Sequence, residues 1–472
     1  MSEVPAVDPA AVAPRGRSWD RPRLALAAGA TLVRLVAALA LTRTPVGLHD
    51  PLLYQRFAQG IAKGQGYVSF DGKLTAYYPP GYPFFLGAVQ WVCDHLSLTS
   101  HLPMVAAIAQ SLLGGLTVWA VVGIGRRLGA LPGMGALSGT GAGRGSKLGV
   151  VAGVIVAVWP NLVLHSTVLL SETLFLAAFS CFLLAMVRAI GSRRPVDLLV
   201  AGLLLGATAL VRPQVLLVMG AVALAALFVR SWPARAALVG LPIVGLVVVI
   251  APWTIRNATV FHRFVAVSTN GGDNLCVGFH PGATGHFEIP KYCDTGEFYI
   301  DGPAAEARRN TETSARARSW ATGHLTSIPA LSLRKLYYTY EHDHDGLRAV
   351  ESYEQDRFLP AAARSVLRWE SDLYYLAVML AALGGLVIAI GRLRAVAGTR
   401  PQLVFLLGAT LATALVPVIV FGETRFKVPA TPCFALLAAI GVVALIDRRT
   451  GAPSPQVPAS APEEPAPEEP VG

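Results

Sequence analysis

The sequence predicts an all-α, polytopic membrane protein, a bundle of about ten spans, and three observations predict it. Hydrophobic residues make up 53% of the 472 and charged residues only 14%, where soluble domains carry about 25% charged residues. The mean hydropathy is +0.52. Apolar runs close to the ~20 residues that cross a bilayer recur along the chain, and Lys and Arg gather in the short loops between them. The net charge of +10 therefore reads as topology-setting. It does not read as a nucleic-acid surface, because no basic patch interleaved with aromatics and no zinc-type cysteine spacing accompanies it. Richness in Gly, Ala, Val and Arg is typical of a high-GC bacterial genome, which makes a bacterial cytoplasmic membrane the expected location.

In chain order, residues 1–23 are rich in Pro, Ala and Arg and are expected to be a disordered cytoplasmic start. Arg15, Arg17, Arg21 and Arg23 precede the first apolar run, 24–42, and keep the N-terminus inside. That run is too long for a cleaved signal peptide. It opens an N-terminal transmembrane module, 24–254, whose first outer loop covers 43–103. Within it, the apolar stretch at 84–97 is too short to span, so 81–97 reads as re-entrant or interfacial. The run 104–125 then goes inward to Arg126 and Arg127. Residues 148–164 go out and 167–188 return to Arg188, Arg193 and Arg194. Residues 196–211 go out, 213–229 return to Arg230 and Arg235, and 236–254 go out. A polar region, 255–369, is expected to lie outside. The C-terminal helices, 370–446, comprise 371–391 running in to Arg392 and Arg394, 402–420 out, and 428–446 in to Arg448 and Arg449. The Pro- and Glu-rich tail, 447–472, is expected to be disordered in the cytoplasm. Short runs leave nine to thirteen spans open around the count of ten.

The first outer loop carries the most information. Asp50 stands just after the first span. A helical stretch follows at 52–63, with Tyr54, Phe57, Ala58 and Ile61 on one face. Gly64, Gly66 and Gly72 break it, and the YYPPGYP run from Tyr77 to Pro83 fixes a rigid turn. The result is an amphipathic helix and an ordered loop at a membrane surface, with a carboxylate at its entrance. Asp50 before Pro51 also has the pattern of a helix cap, which is compatible with catalysis.

Further polar residues fall at the outer ends of spans: Glu172 in LLSETLF, Arg212 in LVRPQ, Arg256 in PWTIRN, and Glu423, Arg425 and Lys427 in FGETRFK. Ionisable groups in membrane segments usually face a cavity, and several at one face point to an outward polar cavity that holds an anion. Each also has a plainer reading. Arg212, Arg425 and Lys427 fit interfacial snorkelling, and Glu172 with Ser171 fits a helix start. His342, Asp343, His344 and Asp345 alternate in one short stretch, which reads as a solvated turn rather than a metal site, since adjacent ligands rarely all reach one ion. Cys93, Cys181 and Cys433 read as packing residues. Cys276 and Cys293 share the polar region, and a disulfide or two free thiols are both open.

Asp50 with Tyr54, Gly64 and Gly66, the YYPPGYPFFLG stretch, Ser171-Glu172, Arg212-Pro213, WTIRN and the late Arg425 together resemble the GT-C superfamily of integral-membrane glycosyltransferases. The resemblance is to the branch of the protein O-mannosyltransferases and the aminoarabinose transferases acting on lipid A, a glycosyltransferase family 39-like pattern, and it covers about residues 24–446. It implies a GT-C-like bundle with an ordered first outer loop and a mixed outer region. It implies transfer of a hexosyl or pentosyl group from a polyprenyl-phosphate donor to a glycan, lipid or protein hydroxyl at the outer face of the membrane. Asp50 takes the role of general base. Tyr54, Tyr77, Tyr78, Glu172, Arg212, Arg256 and Arg425 are the expected substrate-binding residues. Two positions depart from the pattern. Tyr77 and Tyr78 stand where the aminoarabinose branch has a Glu-Lys pair, which argues against aminoarabinose transfer and its metal-ligand arrangement. His49-Asp50 stands where the mannosyltransferases have Asp-Glu. No cofactor is required by this reading, and a divalent metal is compatible with it.

The chemistry is consistent with those residue types. A leaving phosphate is neutralised by guanidinium groups, and an acceptor hydroxyl needs a carboxylate within hydrogen-bond reach. The alternative is a transporter or flippase of a lipid-linked anion. Such proteins show internal helix repeats and broken spans near the midplane, and no such repeat is apparent in the sequence.

Overall fold

The computed structural model describes residues 21–47, 50–131, 144–297, 301–395 and 400–449. Of the expected tails 1–23 and 447–472, residues 1–20 and 450–472 lie outside them, as does His49, whereas 21–23 and 447–449 are helical. The described chain is helical. Its only β pairing is two isolated bridges, Val68 with Leu74 and His286 with Gly422.

The first helix, α1, is Arg21–Leu41, so it starts slightly before the expected run. The first loop holds α2 (Asp50–Ala62) and α3 (Gly81–His95). At 15 residues, α3 is about 22 Å long, short of the ~30 Å hydrocarbon core, as the interfacial reading requires. Next come α4 (Leu102–Gly129), α5 (Arg144–Ala157) and α6 (Pro160–His165). The expected span at 148–164 is thus broken at Trp159, which is extended because it precedes Pro160. The expected run 167–188 starts late, since α7 is Glu172–Ser192 and residues 166–171 form an irregular turn. α8 (Pro195–Val211) ends before Pro213, and a 3-10 turn, Pro213–Leu217, leads into α9 (Val218–Ala226).

α10 (Trp232–Phe261) and α15 (Ala361–Ala395) are longer than the runs 236–254 and 371–391. Hydropathy marks only their apolar parts; residues such as Arg364, Arg368 and Glu370 are good helix formers and carry α15 out beyond them. Between these two helices lie α11 (Gly271–Gly278), α12 (Pro303–Gly323), α13 (Ile328–Tyr340) and α14 (Asp345–Val350). The chain closes with α16 (Arg400–Ala414), α17 (Val416–Ile419), a 3-10 turn Thr424–Ala430, and α18 (Thr431–Arg449). Among the described residues, six helices are long and apolar enough to cross a membrane: α1, Thr99–Gly129, α7, α10, Ala361–Arg394 and Thr424–Arg449. The remaining expected spans fall on the shorter helices α5, α8, α9 and α16.

α4 packs against α1, α5 and α7, α8 against α7 and α10, and α15 against α18. Phe175, Phe179 and Phe182 stack along one face of α7, and Phe182 meets Phe405 of α16 edge-on. Two helix pairs close through glycine. A Cβ at Gly202 or Gly245 would overlap backbone of the facing helix in the α8–α10 pair, and one at Gly385 or Gly441 would do so in the α15–α18 pair. Such close approach is how helices gain contact where lipid removes the hydrophobic drive. Arg34, 2% exposed in the middle of α1, is satisfied by carbonyls: it donates to Val156 at 3.1 Å and Ala157 at 3.0 Å, the last residues of α5. Those carbonyls have no partner within their own helix.

The 255–369 region holds a Cys276–Cys293 disulfide, so of the two states open from the sequence the bonded one is found. This region is clamped to the first loop by Glu306 of α12, which accepts from Thr75 Oγ1 at 2.7 Å, from Ala76 N at 3.0 Å and from Thr269. Burial raises the Glu306 pKa above the usual carboxyl range.

Candidate active site

The site is assembled from four segments. In α2 the buried face of Tyr54, Phe57 and Ala58 fixes the helix and leaves Asp50 at its first position. The chain leaves α2 through Gly64 and Gly66, both with left-handed φ (72° and 86°), a conformation that costs other residues energy. It doubles back so that Tyr78 comes up beside Asp50. Tyr54 lies between two of the turn tyrosines, with ring centroids 5.1 Å from Tyr78 and 4.9 Å from Tyr82. α7 supplies Ser171-Glu172, the C-terminal end of α8 supplies Arg212, and the turn before α18 supplies Arg425.

These groups form one chain of charge-assisted bonds. Tyr78 donates to Asp50 Oδ1 at 2.7 Å. Arg425 Nη1 donates to Asp50 Oδ2 at 2.9 Å, and its Nε donates to Glu172 Oε1 at 2.9 Å. Arg212 Nη2 reaches the same Glu172 oxygen at 2.5 Å, while its Nε donates to Ser171 Oγ at 3.0 Å. The Ser171 side chain therefore serves Arg212 and does not cap α7. The cluster is graded in exposure. The Glu172 side chain is 0% exposed, Arg212 10%, Arg425 13% and Asp50 28%. Both arginines are thus buried pair members, not snorkelling residues. Among the described residues, these bonds use Nε and Nη1 of Arg425 and Nε and Nη2 of Arg212. One terminal nitrogen of each guanidinium remains outside them, and a guanidinium carries five N–H donors.

Two expected site residues lie elsewhere. Tyr77 donates to Asp273 at 2.9 Å, and Asp273 is paired with Arg309, so Tyr77 joins the first loop to α11 and α12. Arg256 donates to the carbonyl of Thr75 at 2.8 Å and sits over the Trp253 ring. It lines a separate cavity of about 560 Å³ with Tyr67, Phe84, Leu210 and Trp253. WTIRN thus marks a loop anchor and a second hollow, not the Asp50 cluster.

The turn 342–345 is not solvated, contrary to the sequence reading. Asp343 and Asp345 are 0% exposed. Asp343 accepts from Trp159 Nε1 at 2.7 Å and Asn161 Nδ2 at 2.9 Å and pairs with the fully buried Lys427 at 3.2 Å. Asp345 faces His165 Nε2 at 3.6 Å. Burial pushes the Asp343 carboxyl up, and His165 holds Asp345 below the usual range against burial. His165, which faces Asp345, also lies within electrostatic reach of Glu172; nothing local in the sequence signals the pairing with Asp345, which lies far along the chain from both. Glu423 is half-buried beside Arg425. Burial outweighs the pull of Arg425 and raises its pKa to about 7, with Asp345, Asp50 and Glu172 adding to the rise.

Among solved structures, the chain is similar to the crystal structure of ArnT from Cupriavidus metallidurans bound to undecaprenyl phosphate, with 15% identity and a TM-score of 0.38 over 89% of this chain and 77% of that one. The apo crystal structure of the same protein gives 16% identity and the same TM-score and coverage. No family model matches the sequence. No curated protein matches it either.

Proposed function

We propose that this chain is an inverting glycosyltransferase that moves a sugar from a polyprenyl-phosphate donor to an acceptor hydroxyl at the outer face of the cytoplasmic membrane. The observation that carries the reading is the grading of the cluster. A carboxylate stands at its open end, Asp50 at 28% exposed, backed by two arginines that share a carboxylate with no exposure at all. A transporter site has no need for one accessible base on a rigid charged floor.

In the proposed reaction Asp50 accepts the proton of the acceptor hydroxyl as that oxygen bonds to the anomeric carbon. The bond from that carbon to the phosphate oxygen breaks, and the polyprenyl phosphate leaves with the electron pair. A single displacement inverts the configuration. Negative charge grows on the leaving phosphate, and the terminal nitrogens of Arg425 and Arg212 outside the carboxylate bonds are the donors placed to take it. Glu172 fixes both guanidiniums, so they need no reorganisation as that charge develops. Asp50 keeps lone pairs beyond those used by Tyr78 and Arg425, because an ionised carboxylate offers about four acceptor sites.

The experiment is mass spectrometry of envelope glycolipids and glycoproteins from a deletion strain, complemented with the wild-type chain or with Asp50→Asn. A sugar substituent lost on deletion and restored by the wild type alone is the expected result. An unchanged glycan profile on deletion, or full restoration by Asp50→Asn, overturns the reading.

A further inference from the structure

We infer that the turn between α13 and α14 binds one divalent transition-metal ion of the zinc class through His342, His344 and Asp372. This inference is independent of the sugar-transfer reading. The alternation His-Asp-His-Asp sorts the side chains into two groups. Asp343 and Asp345 enter the buried network with Trp159, Asn161, Lys427 and His165. The two imidazoles are left together, stacked with centroids 3.9 Å apart and planes at 17°, and Asp372 of α15 reaches them from the next helix. One nitrogen or oxygen from each of the three lies within 4.8 Å of the others.

Three features favour a cation. Nδ1 of His342 is buried and has no hydrogen-bond partner, which is costly unless something occupies it. The Asp372 carboxylate is already oriented, accepting from Asp343 N at 2.7 Å, and its second oxygen lies 2.9 Å from His344 Nδ1, where a bound cation takes the place of the shared proton. Conserving such orientation is what ligand carboxylates and imidazoles need from their surroundings. The local charge also favours a cation: the carboxylates of Glu341, Asp343, Asp345 and Asp372 gather here, against Lys427, Arg348 and, near Asp345, Arg425. Two imidazoles and one carboxylate form a borderline donor set suited to zinc, with a fourth position for water. Bonds of about 2.0–2.2 Å to a tetrahedral ion bring its donors to roughly 3.4 Å from one another, so side-chain rotations of about 1 Å close the site. The ion touches no reacting atom. It fastens the 341–345 turn to α15 and thereby steadies Asp345 and its partner His165, which lies within electrostatic reach of Glu172.

The test uses tag-free full-length protein in detergent, stripped with chelator and titrated with zinc against a chromophoric competitor. The expected result is one zinc per chain held at micromolar or tighter affinity, weakened at least tenfold by His344→Ala and by Asp372→Asn, with a zinc-dependent rise in Tm that the variants lose. Cobalt substitution of the wild type gives visible absorption of a tetrahedral or five-coordinate site, which His342→Gln abolishes. Equal zinc uptake by wild type and by a triple variant carrying His342→Gln, His344→Ala and Asp372→Asn overturns the inference. If the triple variant does not fold, the cobalt spectrum of the wild type decides, and the weak bands of six-coordinate aqueous cobalt overturn it.

Discussion

Arg425 holds Asp50 at 2.9 Å across 375 positions of sequence. A single guanidinium therefore joins the first loop to the last span, and the same group binds the buried Glu172. The geometry of Asp50 and the integrity of the bundle are coupled through it.

The first prediction concerns Asp50. Asp50→Asn keeps an oxygen to accept from Tyr78 and removes the charge that takes a proton. The variant is expected to insert and fold normally, to bind polyprenyl phosphate, and to lose transfer by about 10²–10⁴-fold. Single-turnover transfer measured beside lipid binding checks it. Turnover near the wild-type rate would reassign Asp50 as a helix start.

The second ranks the arginines. Arg425→Ala strips a partner from both Asp50 and Glu172, whereas Arg212→Ala leaves Glu172 with Arg425. Breaking a buried pair costs about 3–5 kcal/mol, so Arg425→Ala is expected to lower Tm and donor affinity more than Arg212→Ala. Thermal unfolding in detergent, with and without polyprenyl phosphate, shows the order. Equal losses, or the reverse order, count against Arg425 as the shared link.

The third uses Glu423. Its pKa in the fold is raised to about 7 from the ordinary 4.5, so the folded chain binds more protons than the unfolded one between those values. Its contribution is fully present below about pH 4.5 and is lost as pH rises through 7. Glu423→Gln stays neutral and is expected to hold its Tm between pH 5 and 8 better than the wild type. Parallel Tm profiles for the two proteins would contradict the assignment.

The fourth concerns the disulfide, which closes a separation of 17 residues. A loop of that size is worth about 3 kcal/mol in the chain-entropy model. Cys276→Ser is expected to destabilise the 255–369 region, read as faster proteolysis there with little change at α7 or α18. Alkylation before and after reduction should reveal two additional thiols, and none would show that the cysteines are not bonded.

The fifth places the faces of the membrane. Lys73→Cys and Ile289→Cys are exposed positions, at 52% and 83%, in the segments expected outside. An impermeant thiol reagent should label both in intact cells and label Trp232→Cys only after lysis. The opposite pattern inverts the expected orientation.

Much of this was legible in sequence because the signals were local. The run from Asp50 through YYPPGYP marked a helix, a glycine break and a rigid turn. Lys and Arg in short loops marked the spans, and Ser171-Glu172 announced the start of α7. What stayed hidden depended on distance along the chain. Nothing near Arg256 distinguishes a guanidinium that caps loop carbonyls from one that meets a phosphate, and the pairing of Asp345 with His165 has no local pattern. The 342–345 turn misled for the opposite reason: four polar residues in a row look solvated until Trp159, Asn161 and Lys427 arrive from other helices to bury two of them. Helix ends were misplaced where charged helix formers extend α15 past the apolar run, and where Pro160 divides a run that looks continuous.

The Arg34 bonds have a consequence for how the protein is made. Its partner carbonyl at Ala157 is 123 residues downstream. At about 5–20 residues per second, the ribosome needs roughly 6–25 seconds to supply it. Until then α1 enters the bilayer with an arginine near its middle, at an insertion cost of about 2.5–3.5 kcal/mol. The first helix is thus a provisional passenger of the translocon, and the emergence of α5 commits it.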